Sequence, residues 1–112
     1  MLVKNLVDGT SISADTQSSV EYFHMPKSNR GIAQIKASDY SGLTNIVITL
    51  EGRLNADHEW ETVKDSGGTN VSSTFTGNND SSFPDIQLWP EMRFDLNVSG
   101  TGSVTIQATV GG

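Results

Sequence analysis

The segment Asp57-His58-Glu59-Trp60-Glu61 has the densest concentration of chemically able side chains in the sequence. On a β-strand, alternate residues share a face about 6.5–7 Å apart. Asp57, Glu59 and Glu61 would then line one side, with His58 and Trp60 on the other. A carboxylate face of that kind could hold a metal ion. It could also supply the carboxylate pair of a glycosidase, which needs a separation of about 5–9.5 Å across a sugar cleft. The plainer expectation is a solvated strand face opposite a buried Trp60, because Asp and Glu are rarely buried and Trp usually is. His24 and His58 are the only imidazoles, and neither lies in a G-x-S-x-G elbow. With 14 serines in the chain, a Ser/His/Asp combination carries no information. Asn78-Asn79-Asp80 offers oxygen ligands for calcium but lacks the D-x-[DN]-x-[DN]-G pattern and its distal Glu, so a turn is expected there. Gly67-Gly68 is not followed by the Lys-Ser/Thr of a phosphate-binding loop. No catalytic site is visible, and no cofactor or metal is implied.

Composition narrows the function classes further. The chain has 112 residues, no cysteine, a net charge of −6 and a pI near 4.6. Without cysteine, disulfides, thiolate metal sites and cysteine nucleophiles are excluded. The acidic balance and seven scattered basic residues argue against binding to a nucleic-acid backbone or to an anionic membrane. No signal-peptide core and no run of about 20 apolar residues is present, so a soluble protein is expected. The sequons at Asn70, Asn79 and Asn97 are expected by chance in a chain so rich in Asn and Ser.

The elements that would position these residues read as strands. Ile46, Ile48, Leu50, Gly52 and Leu54 alternate with Val47, Thr49, Glu51 and Arg53. Met92, Phe94, Leu96 and Val98 alternate with Arg93, Asp95 and Asn97, and Val104, Ile106, Ala108 and Val110 with Thr105, Gln107 and Thr109. One face in a core and one in water is the pattern of an antiparallel sheet. Weaker strand signals cover Leu2 to Val7, Val20 to Met25, Ile32 to Ala37, His58 to Val63 and Val71 to Thr76. Turn clusters separate them at intervals of about 8–12 residues, the spacing of a sandwich or barrel. Asn55-Ala56-Asp57 and Ser99-Gly100-Thr101-Gly102 each suggest a hairpin, and Ser66 to Ser82 is the most loop-like stretch. No window holds a helical stripe for three turns. The expected fold is all-β, a single antiparallel β-sandwich (jelly-roll or immunoglobulin-like) of about 7–8 strands. Residues 1–19 would form an N-terminal arm or edge strand and residues 20–112 the sandwich.

Three segments, Ile46 to Val63, Trp89 to Leu96 and Gly100 to Ile106, resemble small β-sandwich structural proteins of tailed bacteriophages, the decoration and tail-accessory proteins. Ile46 to Val63 resembles their strand ending in Gly, polar turn, and Trp opening the next strand. Trp89-Pro90-Glu91-Met92-Arg93-Phe94-Asp95-Leu96 resembles a Pro/aromatic lead into a strand, and Gly100 to Ile106 a closing Gly/Ser/Thr hairpin. The resemblance spans roughly residues 43–110. Arg53 and His58-Glu59 depart from it, standing where small residues are common. It implies a non-enzymatic virion protein, foremost a capsid decoration protein bound to the outside of the shell and assembled in the host bacterial cytoplasm. The implied partner is the major capsid protein or another virion protein, with a homotrimer at local three-fold positions as the leading assembly.

Two features would serve partner binding. The short apolar run with Leu2, Val3, Leu6 and Val7, set off by Asp8-Gly9, could pair with a neighbour's sheet edge. Trp89 precedes Pro90 and a strand; exposed, it could stack on a sugar ring, and packed, it would belong to the core. Tyr22, Phe23, Tyr40 and Phe83 pose the same choice. The alternatives to decoration are therefore a tail or neck accessory protein and a glycan-binding module, the latter marked by an exposed Trp89 or Tyr40. An enzyme built on the Asp57–Glu61 carboxylates would need a pocket that gathers two of them.

Overall fold

A computed structural model describes residues 3–23 and 30–112. Eight strands run β1 (Val3–Ile12), β2 (Thr16–Gln17), β3 (Glu21–Tyr22), β4 (Arg30–Arg53), β5 (Glu61–Thr62), β6 (Ser72–Phe75), β7 (Asn79–Gln87) and β8 (Glu91–Gly111). All belong to one antiparallel sheet. The all-β antiparallel expectation is met.

Two long strands organise the fold. β4 and β8 pair along nearly their whole length, from Ile32 opposite Gly111 to Arg53 opposite Glu91. The first half of β4 pairs β7 on its other side, and the second half pairs β6 and β5. β8 likewise holds β2 and β3 along its first half and β1 along its second. The pairing between β4 and β8 slips between Ser38 and Asn45. There Gly42 and Gly100 take the left-handed φ values of 83° and 88°. A side chain at Gly100 would come 2.8 Å from the Thr44 amide nitrogen, so the backbones approach too closely for anything larger. This crease doubles the sheet into two layers of one sandwich, in the manner of strands that change layer through a bend.

The crease also changes the alternation. Ala33, Ile35 and Ala37 point inward before it, and Ile46, Ile48 and Leu50 after it, so the buried face passes from odd to even positions. An extra residue in a strand flips every later side chain, which is what the slipped register supplies. β8 keeps even parity throughout, with Met92, Phe94 and Leu96 in one layer and Val104, Ile106, Ala108 and Val110 in the other. These residues join Leu6, Val7, Ile12, Val63, Val71, Phe75 and Ile86 in a single core. The accessible surface is 5900 Å². A compact monomer of 12.0 kDa exposes about 6000 Å², so the chain encloses its core by itself.

The layers meet again at the end opposite the crease. Lys4 of β1 lies 3.4 Å from the carboxylate of Glu21 of β3. Leu88 packs on Gly31 and Gly112 of one layer, while its neighbour Trp89 packs on Gly52 of the other. One flank of the sandwich is sealed by backbone hydrogen bonds, with Val63 donating to Leu50 and Gln87 to Lys64.

Several local expectations change. Ser99 to Gly102 is not a hairpin, because β8 runs straight through it as half of the crease. The strands expected at Ile32–Ala37 and from Ile46 are one strand, β4, which ends at Arg53 and leaves Leu54 exposed in the turn. The loop-like stretch Ser66–Ser82 contains β6 and the start of β7, whose hydroxyl-rich alternation hides a half-buried edge. His24 and Met25, at the end of one weak strand signal, lie outside the described residues.

Candidate functional site

Asp57, Glu59 and Glu61 do not share a strand face. Residues Asn55–His58 form a turn in which the Asp57 amide donates to the Asn55 side chain and the His58 amide to the Asn55 carbonyl. Only Glu61 reaches β5. Asp57, His58 and Glu59 are exposed. Among the described residues, no group of three His, Asp or Glu side chains converges in a way that could hold a metal. A shallow cleft of about 260 Å³ lies beside this turn, lined by Arg53, Leu54, His58, Glu59, Glu61 and Trp89.

Trp60 is not a core residue. It is half-buried on the outer face of the sheet, with the guanidinium carbons of Arg53 and Arg93 at 4.1 Å and 4.4 Å from its ring centroid. Glu91 accepts from Arg53 at 3.0 Å and Glu51 accepts from Arg93 at 2.9 Å. The cause is visible in the register. Arg53 stands opposite Glu91 and Arg93 opposite Glu51, so two crossed ion pairs tile four adjacent positions of one face. Planar guanidiniums held by carboxylates present flat faces to an indole, and a cation over that ring is attracted by its quadrupole. The cluster holds the 54–60 turn onto the sheet. The missing sequence signal was the diagonal placement of Arg53 and Arg93, which requires the register.

The other residues expected to bind partners fall in different surroundings. Leu2 lies outside the described residues. Leu6 and Val7 are both buried, in β1, which pairs with β8 of the same chain. Two consecutive inward residues are possible because the β1 register slips on either side of Val7. Val3 stands 57% exposed at the start of β1. Trp89 is half-buried against the core, over the backbone of Gly52. Tyr40 is half-buried as well, its hydroxyl donating to the Leu43 carbonyl at 3.0 Å. Neither presents the open ring that would mark a sugar platform; Tyr22 is the exposed aromatic, at 66%. A groove of about 460 Å³ lies between β1 and the Ser13–Ser19 segment, lined by Leu6, Val7, Ile12 and Leu96 among others.

No family model matches the sequence, and no curated protein matches it. Solved structures do. The chain shares its fold with the SPBc2 prophage-derived protein YomS. The superposition covers 97% of this chain and 90% of the crystal structure of YomS, with a TM-score of 0.53 and 14% sequence identity. The likeness therefore extends over nearly the full length of both chains.

Proposed function

We propose that this protein is a structural protein of a bacteriophage particle, and within the particle a capsid decoration protein on the outside of the shell. The observation that carries the reading is the fold shared over nearly the full length of both chains with a prophage-derived protein. The resemblance of residues 43–110 to small phage β-sandwich proteins points the same way.

The sheet edges support decoration over a polymerising tail component. β2, β3 and β5 are two residues long, β1 slips register twice, and the nine-residue edge β7 slips register where it carries Pro84. Short, bulged edges discourage strand-to-strand addition between copies. Such a subunit suits discrete positions on a shell, where closed symmetry such as a trimer limits its copies. Its work would be to bridge capsid subunits and add buried interface.

Co-sedimentation of the purified protein with capsids lacking it tests the reading, with light scattering to give its mass. Saturable binding at a fixed copy number per capsid is the expected result, and that number locates the symmetry axis occupied. A protein that stays in the supernatant at every concentration would end the decoration reading.

A further inference from the structure

The end of the sandwich opposite the crease gathers exposed apolar side chains. Among the described residues, three large hydrophobic side chains stand more than half exposed: Val3, Tyr22 and Leu54. Val3 pairs with Gly111, the last residue of β8. Tyr22 pairs with Glu91, the first residue of β8, and Glu91 pairs in turn with Arg53, which precedes Leu54. The packing of Leu88 on Gly31 and Gly112, with Trp89 on Gly52, brings these strand termini of both layers to one end. Single exposed apolar residues are ordinary on a protein surface. Tyr22 and Leu54, linked through the Glu91–Arg53 pair and flanked by half-buried Trp89 and Pro90, form a patch of the kind that marks an interaction site. Val3 stands apart from them, on the outer face of the other layer beside Ile32, Gln34 and Thr109, a face that otherwise presents Lys36, Ser82 and Gln107.

The rim of this end is acidic. Asp57, Glu59 and Glu61 belong to the turn beside Leu54, and among the described residues none of them forms an ion pair. The arginines on that side, Arg53 and Arg93, are neutralised by Glu91 and Glu51. The cleft of about 260 Å³ is lined by Leu54 and Trp89 together with Glu59 and Glu61, and by Arg53 and His58.

We infer that this end of the sandwich is the docking face, with Leu54 and Tyr22 as apolar anchors inside an acidic rim, and that it seats on a basic-rimmed apolar depression of the capsid protein. The inference rests on the capsid reading above. Charge complementarity selects the occupant: the rim carries uncompensated carboxylates, so a second copy of the same acidic end would be repelled. Burying the anchors supplies affinity, while the carboxylates govern association rate and salt dependence.

Three variants and the wild type, titrated onto capsids lacking the protein, test this. Leu54→Ser with Tyr22→Ser should weaken binding by about tenfold or more, as expected for central apolar anchors. Asp57→Asn, Glu59→Gln and Glu61→Gln together should slow association at low salt and flatten its salt dependence. Gln34→Ala with Gln107→Ala, on the outer face, should bind as the wild type does. Hydroxyl-radical footprinting of bound wild-type protein gives the same answer without substitution, with Tyr22 and Leu54 protected and the outer face reactive. If the wild type binds while the anchor variant binds equally well and Tyr22 and Leu54 stay reactive, the docking face is wrong and the capsid reading stands. If the wild type does not bind at all, both fall together.

Discussion

Trp89 lies directly on the backbone of Gly52, so closely that a Cβ at that position would come within 2.7 Å of the Trp89 Cβ. Gly52 is the last inward position of β4 and is buried. The absence of a side chain there is what lets the indole close the end of the sandwich. Gly52→Ala must push Trp89 outward or distort β4. Overpacking of this kind costs about 1–3 kcal/mol. Urea titration should show that loss, and the tryptophan emission of the folded variant should move to the red.

Trp60 and Arg93 should be energetically coupled. A half-exposed cation–π contact contributes about 0.5–2 kcal/mol, and both arginines are already oriented by carboxylates. In a double-mutant cycle of Trp60→Leu and Arg93→Ala, the coupling should be about 0.5–1 kcal/mol. The same cycle between Trp60 and Lys36, on the outer face of the other layer, should give none.

Much of the sheet was legible because strand alternation is local. Ile46 to Leu50, Met92 to Leu96 and Val104 to Val110 each show their buried face in sequence, and each is buried as read. What could not be read is how those runs join. A Gly/Ser cluster looks the same whether the chain reverses in a hairpin or bends within one strand, and Ser99 to Gly102 bends. That choice depends on the partner strand, since Gly42 lies against Thr101 and Gly102, and Gly100 against Thr44, across the same crease. The carboxylates of the 57–61 segment misled for a similar reason. Their alternation matches a strand, but Asn55 caps the turn through both its side chain and its carbonyl and keeps residues 55–58 out of the sheet. Tyr22 read only as an aromatic that is either exposed or packed, and Leu54 as the last residue of an inward face, whereas Leu54 lies past the end of β4 and is exposed; their nearness exists only once the strands pair.

The N-terminal strand divides into residues with opposite sensitivities. Leu6 and Val7 are 5% and 6% exposed, whereas Val3 is 57% exposed. Leu6→Ala should lower stability by about 2–4 kcal/mol, the range of core truncations. Val3→Ser should stay within about 0.5 kcal/mol, as exposed positions do. Equilibrium unfolding of the two variants checks both. Deleting residues 1–9 removes two core side chains together with any partner contact, so a binding loss in the deletion variant must be compared with Val3→Ser, which leaves the core intact.

Acid should weaken one link between the neighbouring strands β4 and β7. Arg30 Nε donates to Asp85 Oδ1 at 2.7 Å. That hydrogen bond, aided by one from Ser66 and by the guanidinium charge, holds the Asp85 carboxyl below the usual carboxylate range against the opposing effect of desolvation. A carboxylate whose folded pKa is depressed adds stability that is fully present above its unfolded pKa of about 4 and disappears as pH falls through the lower folded value. Both side chains are substantially exposed, so solvent screening keeps the contribution small. Asp85→Asn removes the titration. The melting temperature of the wild type should exceed that of Asp85→Asn by a constant amount from about pH 5 to about pH 8, and the gap should close below about pH 4. A gap that persists unchanged into acid would mean that Asp85 contributes through shape and hydrogen bonding alone, not through its charge.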